Sequence, residues 1–207
     1  MARLFSSDMH FDHANIIGYC GRPFADPDEM AAALVERWNA VVGDDDEVWC
    51  LGDIALGQGV SGLRWVSALA GRKVLVPGNH DRVAPYLKRA DRFVEAYLGA
   101  GFAEIVPGPA SLTVGGVPVT VDHFPYAGDS HDSDRFTDRR PADRGGWLLH
   151  GHVHERWRQR GRMINVGVDA WGGRPVDEAT LAAVIAAGPA DTAPLPWEEA
   201  KTVTPPP

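Results

Sequence analysis

Residues 147–154 read WLLHGHVH, an apolar run ending in three histidines at every second position, His150, His152 and His154. Trp147, Leu148 and Leu149 suit a buried strand, and in extended backbone residues two apart share a face. Gly151 between the histidines lets another group approach the backbone closely. A strand that aims several imidazoles one way is a candidate metal site. A surface strand with solvated histidines is the plainer alternative, and the rest of the chain decides between them.

The same order, apolar run and then polar cluster, recurs along the chain. RLFSS runs into Asp8-Met9-His10, EVWCL into Gly52-Asp53, KVLVP into Gly78-Asn79-His80-Asp81, and VPVTV into Asp122-His123. In layered α/β proteins the strand ends form the crevice where ligands bind. A DxH triplet or a lone Gly-Asp is commonplace by itself. Five such clusters in series, each after an expected strand, are not explained as turns. Together they offer about seven Asp, Asn and His ligands, enough for two octahedral or five-coordinate cations.

Up to about Ala187, short apolar runs alternate with helix-like segments, which predicts a layered α/β or α+β fold. Residues 26–43 predict a helix capped by Asp26, with Pro27 in its first turn, Glu29 at the capping-box position and Gly43 at its end. Its buried stripe is Met30, Leu34, Trp38 and Val41. Residues 61–71 predict a crossover helix between two parallel strands, and residues 176–188 a final helix. Residues 111–124 predict a hairpin turning at Gly115-Gly116. Residues 127–146 mix acid, base and glycine and predict a long surface loop, either a lid with His131, Arg135, Arg139 and Arg140 as contacts or a passive insertion. We therefore expect one folded domain over 1–187 and a proline-rich extended tail over 188–207, pinned at Leu195 and Trp197.

The chain has 207 residues, 44% of them hydrophobic and 23% charged, which suits one well-filled core. The two cysteines, Cys20 and Cys50, lie outside any CxxC spacing, which argues against thiolate metal sites and a disulfide framework. No apolar run approaches the ~20 residues that span a bilayer, and the first residues lack the apolar core of a signal peptide. A cytoplasmic protein with no membrane partner is expected. The net charge of −8 argues against a stable complex with duplex nucleic acid, but leaves room for a small phosphorylated ligand.

The pieces DMH, GD, GNHD, the His of DHFP, and GHVH resemble the pattern DxH, GD, GNH[DE], H and GHxH of the calcineurin-like metallophosphoesterase superfamily, over about the first 170 residues. The resemblance implies an α+β fold, a four-layer αββα sandwich of two mixed sheets flanked by helices, holding two divalent cations. It implies that Asp8, His10, Asp53 and His154 hold one cation. Asp53, Asn79, His123 and His152 hold the other, with Asp53 bridging. Manganese leads the expected metals; imidazoles also hold Fe, Zn, Ni or Co. Hydroxide generated between the cations would attack phosphorus. His80 matches the non-ligand histidine expected as general acid, with Asp81 orienting it.

His13, Arg22 and Arg82 are candidate contacts to substrate phosphate, each weighed against an ordinary solvated or helix-start role. His150 falls outside GHxH and is expected to support a ligand or face solvent. Asn165 and Asp169 are expected to support the floor of the site.

Protein phosphatases of the superfamily carry GDxxDRG and RGNHE, whose arginines clamp a doubly charged monoester. Here the matching segments are GDIALGQG and PGNHD, which favours a diester. SDMHFDHANIIGYCGRPF, LHGHVH and NVGVDAWGGRPV look similar to small bacterial and phage metallophosphoesterases, some of which hydrolyse 2′,3′-cyclic nucleotides. The expectation is a phosphodiesterase acting on a small phosphorylated substrate, a 2′,3′-cyclic nucleotide first among candidates. A nuclease or phosphomonoesterase is the alternative within the superfamily. A non-catalytic metal-binding scaffold is the alternative of another class, disfavoured because His80 and every expected ligand are present.

Overall fold

Leu4 and Phe5 are neighbours in one strand and enter different cores, and that alternation organises the molecule. The computed structural model describes residues 1–56 and 60–197. One sheet is built from β1 (Arg3–Ser6), β2 (Glu47–Cys50), β3 (Arg72–Leu75) and β4 (Phe102–Ile105), all parallel. The other contains β5 (Ala110–Val114), β6 (Val117–Val121), β7 (Trp147–His150), β8 (Gln159–Gly161) and β9 (Met163–Asn165). Then β10 (Val176–Asp177) pairs antiparallel with β1, and β11 (Ala190–Thr192) with β8, giving orders β10-β1-β2-β3-β4 and β11-β8-β9-β7-β6-β5. Both sheets are mixed and helices flank them, the expected α+β arrangement.

Leu4, Val48, Cys50 and Leu75 belong to the core shared with the helices. Phe5, Leu51 and Val76 belong to the core between the sheets, with Val119, Val121, Leu149 and Ile164 from the second sheet. Strands buried on both faces read as continuous apolar runs, which is how β2 and β3 look in the sequence. The hairpin β5–β6 turns at Gly115 and Gly116, with φ of 54° and 82°, the positive values a tight two-residue turn needs.

On the outer face lie α1 (Ala14–Tyr19), α2 (Pro27–Asn39) and α3 (Val94–Ala100). Asp26 caps α2 by accepting from the amides of Asp28 and Glu29. The helix ends at Asn39 rather than 43. The turn therefore changes phase: Val42 is buried, and Val41, expected on the buried stripe, is 38% exposed. The crossover expected as a helix is a 3-10 helix, Ser61–Ala68. Its buried Leu63 and Val66, followed by Leu69, repeat every third residue, the period of that helix.

The final helix, α4 (Glu178–Ala187), contributes Leu181 and Ile185 to the core between the sheets. The segment expected as a tail from residue 188 contributes β11 to the second sheet. Leu195 bridges Trp171, and Trp197 packs its ring 5.5 Å from Phe24. Residues 198–207 of that expectation lie outside the described residues. Among the described residues no helix is long and apolar enough to cross a membrane.

Candidate metal centre

The polar clusters after β1, β2, β3, β6 and β7 meet at one end of the sheets. The loops after β1 and β2 are laced together: the amides of Asp8, His10 and Phe11 donate to the carbonyls of Gly52, Asp53 and Ile54. Close approach depends on absent side chains. A Cβ on Gly78 would lie 2.3 Å from Asp53 Oδ1, and one on Gly151 2.0 Å from Ser7 Oγ and 2.5 Å from Asp8 Oδ2.

Strand alternation does not bring His152 and His154 together. β7 stops at His150, and both later histidines adopt left-handed backbone, φ 72° and 49°. Asp8, His10 and Asp53 do the same, at 58°, 53° and 54°. Non-glycine residues rarely adopt this conformation, and clusters of them mark sites where the surrounding structure imposes it.

Asp53 is the hub. Its Oδ2 lies 3.7 Å from His10 Nε2, 3.4 Å from His123 Nε2 and 4.0 Å from His80 Nε2. On one side, His154 Nε2 is 3.2 Å from His10 Nε2 and 3.6 Å from Asp8 Oδ1. On the other, Asn79 Oδ1 is 3.1 Å from His123 Nε2 and 3.0 Å from His152 Nδ1. Three groupings with metal-binding spacing, Asp8–His10–His154, His10–Asp53–His80 and Asp8–Asp53–His123, overlap here.

Contacts from behind orient the rings. His123 Nδ1 donates to the Leu51 carbonyl at 2.8 Å, which leaves Nε2 for the centre. Asn165 Nδ2 donates to the carbonyl of His154, holding that loop from below as expected.

Burial holds the His10 and His154 imidazoles well below their ordinary range, and brings His152 to about 4. These rings are neutral and keep lone pairs for a cation. Burial, with Asp53 nearby, raises Asp8 to about 7. Burial also opposes a charge on His123, but Asp53 and then Asp8 outweigh it and raise His123 to about 10. His10 Nε2 and His154 Nε2 can share at most one proton, so their approach beside buried carboxylates is a donor set suited to divalent cations.

Several expected residues sit elsewhere. Asp81 does not orient His80: its buried carboxylate accepts from the amides of Asp53, Ile54 and Gly78 and from Tyr97 Oη. Three amides converging on the turn give that carboxylate more hydrogen bonds than one imidazole does. Arg22 is not a substrate contact. It is 3% exposed, is paired with Asp169 at 2.7 Å, and donates to the carbonyls of Asp8 and Met9. Arg82 is exposed and stacks over Phe93, 4.8 Å from the ring centre. His150 is fully buried, which removes the solvent-facing one of its two expected roles, and Nδ1 donates to the Gly151 carbonyl. His13 does adjoin the cluster, its Nδ1 3.3 Å from His10 Nδ1.

Sequence reading missed Asp129. Its buried carboxylate, in the loop expected as a lid, lies 3.2 Å from His152 Nε2. Only its habit of closing a turn was visible: Oδ1 accepts from the amide of His131 two residues on.

A family model described as the calcineurin-like phosphoesterase superfamily domain matches residues 1–184. The chain is 40% identical over 182 residues to the Gene 66 protein of Mycobacterium phage L5, covering 81% of this chain and 86% of that protein. It is 30% identical over 191 residues to the uncharacterized protein MJ1445 of Methanocaldococcus jannaschii, covering 88% and 90%. Among solved structures it is similar to a protein of unknown function, AQ665 from Aquifex aeolicus. That match has TM-score 0.66 and 26% identity, and covers 88% of this chain and 98% of that one.

Proposed function

The chain belongs to the calcineurin-like phosphoesterase superfamily, and on that premise we propose that it is a two-metal phosphodiesterase for small phosphorylated molecules, with 2′,3′-cyclic nucleotides as the leading substrate. The observation that carries this reading is the position of Asp53 between two ligand groups, with His80 at its open side.

Asp8, His10, Asp53 and His154 would hold one divalent cation, and Asp53, Asn79, His123 and His152 the other, manganese being the first candidate. When bound, the pair lowers the pKa of water and offsets the charge on phosphate oxygens. The chain's own residues do the rest. Asp53 Oδ1 accepts from the His80 amide at 2.8 Å, so the residue that anchors the centre also sets the position of the histidine. The His80 side chain is 36% exposed, against 1% for both His10 and His123, which gives it access to a leaving oxygen the buried rings lack. We assign it the proton donated to that oxygen.

The disposition of the arginines supports a diester. Arg22 is spent beneath the Asp8 loop and Arg82 is stacked on Phe93, so neither clamps a doubly charged monoester.

Manganese-loaded protein assayed on 2′,3′-cyclic, 3′,5′-cyclic and monoester nucleotides tests the reading, with the 2′,3′-cyclic diesters expected fastest. Faster turnover of monoesters would reverse the choice. His80→Ala should slow diester turnover about 10²–10⁴-fold with the bound metal retained.

A further inference from the structure

From Asp81 the chain runs DRVAPYLKRADRF, residues 81–93, a concentration of positive charge in a molecule of net charge −8. Arg82, Lys88, Arg89 and Arg92, with Leu87 and Phe93, line a cavity of about 320 Å³. The cleft beside Trp157 differs, for there Asp129, Asp132 and Asp134 face Arg156 and Arg160. The 82–92 cup presents only cations and apolar surface.

Among the described residues none of these four cations has a carboxylate within ion-pair distance, whereas Arg135 and Arg140 each have one and Arg72 has two. Asp91, in the same segment, pairs with none of them. Like charges drawn together without partners repel, and an anion between them removes the repulsion. The cup is also held in place. Arg82 stacks on Phe93, its amide donates to Tyr97 Oη at 3.1 Å, and that hydroxyl donates to Asp81 Oδ1. One wall is therefore tied to the loop that carries Asn79 and His80.

We propose that this cup binds a phosphate group other than the one being hydrolysed. Guanidinium forks match phosphate oxygens in pairs, and three arginines and a lysine supply more positive charge than a single carboxylate needs. The volume is near the lower end for small-molecule sites, enough for a phosphate and a little of what bears it. The phosphate is either a second group on the substrate or a separate phosphate compound. The binding itself does not depend on the phosphodiesterase reading.

Arginine footprinting with phenylglyoxal, read by peptide mass spectrometry on the manganese-loaded protein, tests this with pyrophosphate as probe. Saturating pyrophosphate should slow modification of Arg89 and Arg92 at least about fivefold, as ~80% occupancy requires, and leave exposed Arg64 unchanged. No protection at Arg89 and Arg92, or equal slowing at Arg64, overturns the proposal.

The double variant Arg89→Asn, Arg92→Gln then separates the sources. Asparagine is chosen because Arg89 has φ of 69°, which it tolerates. If the phosphate is the substrate's, KM for a nucleoside p-nitrophenyl diester bearing a second phosphate rises about tenfold, and KM for bis(p-nitrophenyl) phosphate stays within about twofold. Protection with both KM values unchanged identifies a separate phosphate compound. Equal impairment of both substrates overturns the proposal, since it places these residues' effect at the catalytic centre. If neither diester is turned over, the functional reading fails and the footprint still decides the cup.

Discussion

Asp129 Oδ2 lies 3.2 Å from Nε2 of His152, while the opposite nitrogen of that ring, Nδ1, faces Asn79 Oδ1 at 3.0 Å. A residue in an irregular loop thus faces the nitrogen of His152 that points away from Asn79. Asp129 is itself fixed, because the amides of His131 and Arg135 and the Arg135 guanidinium all donate to it. Burial works against its charge, but the Arg135 hydrogen bond and then the His131 amide hold it below the usual carboxylate range. Replacing Asp129 by Asn should weaken manganese binding about 10–100-fold in equilibrium dialysis, the usual consequence of losing a carboxylate behind a metal-binding histidine, the role proposed for His152. Unchanged affinity would reduce the loop to a cover.

Arg22 and Asp169 form a buried pair beneath the Asp8 loop. Arg22→Met leaves the Asp169 charge without its partner and the carbonyls of Asp8 and Met9 without their donor. Urea unfolding should show a loss of about 3–5 kcal/mol. Adding Asp169→Asn should recover part of it, because the uncompensated charge is then gone. A loss below ~1 kcal/mol for the single variant would contradict the role assigned to the pair.

Gly151 is required for contact. Its missing Cβ would fall within 2.0 Å of Ser7 Oγ and 2.5 Å of Asp8 Oδ2, so Gly151→Ala must push the Asp8 loop away. Elemental analysis should find that variant deficient in bound metal. Gly99→Ala is the control: a Cβ there meets nothing within 4 Å, and the residue is helical, so stability should hold or rise.

Cys50 provides a pH prediction. Burial pushes its thiol far above the ordinary value of 9.0, so the folded chain keeps a proton that the unfolded chain releases. Below pH 9.0 the thiol contributes nothing to the pH dependence. Above it, stability falls by up to ~1.4 kcal/mol per pH unit for this group. Cys50→Ala should be less stable at pH 8 because of the cavity, yet should lose stability less steeply between pH 9 and 11. Parallel pH profiles for the two proteins would refute this.

Much of the fold was legible because its signals are local. The apolar runs of β1, β2, β3, β6 and β7, the Asp26 cap and the Gly115-Gly116 turn each depend on residues a few positions apart. The end of α2 was misplaced because Val41 and Val42 are equally apolar, and packing alone chose the second. The crossover at 61–68 was misjudged in type because a stripe repeating every third residue resembles a helical one over so short a span.

By itself the sequence named the candidate ligands and the order in which strands deliver them, because a strand followed by a polar turn is written in adjacent residues. It could not determine how those ligands are aimed. The left-handed turns at Asp8, His10, His152 and His154, the Leu51 carbonyl behind His123, Asp129 behind His152, and Arg22 beneath Asp8 arise from segments far apart in the chain. Only the tertiary structure decided those, because the nitrogen a ring presents, and the backbone strain a loop tolerates, depend on what packs against its other side.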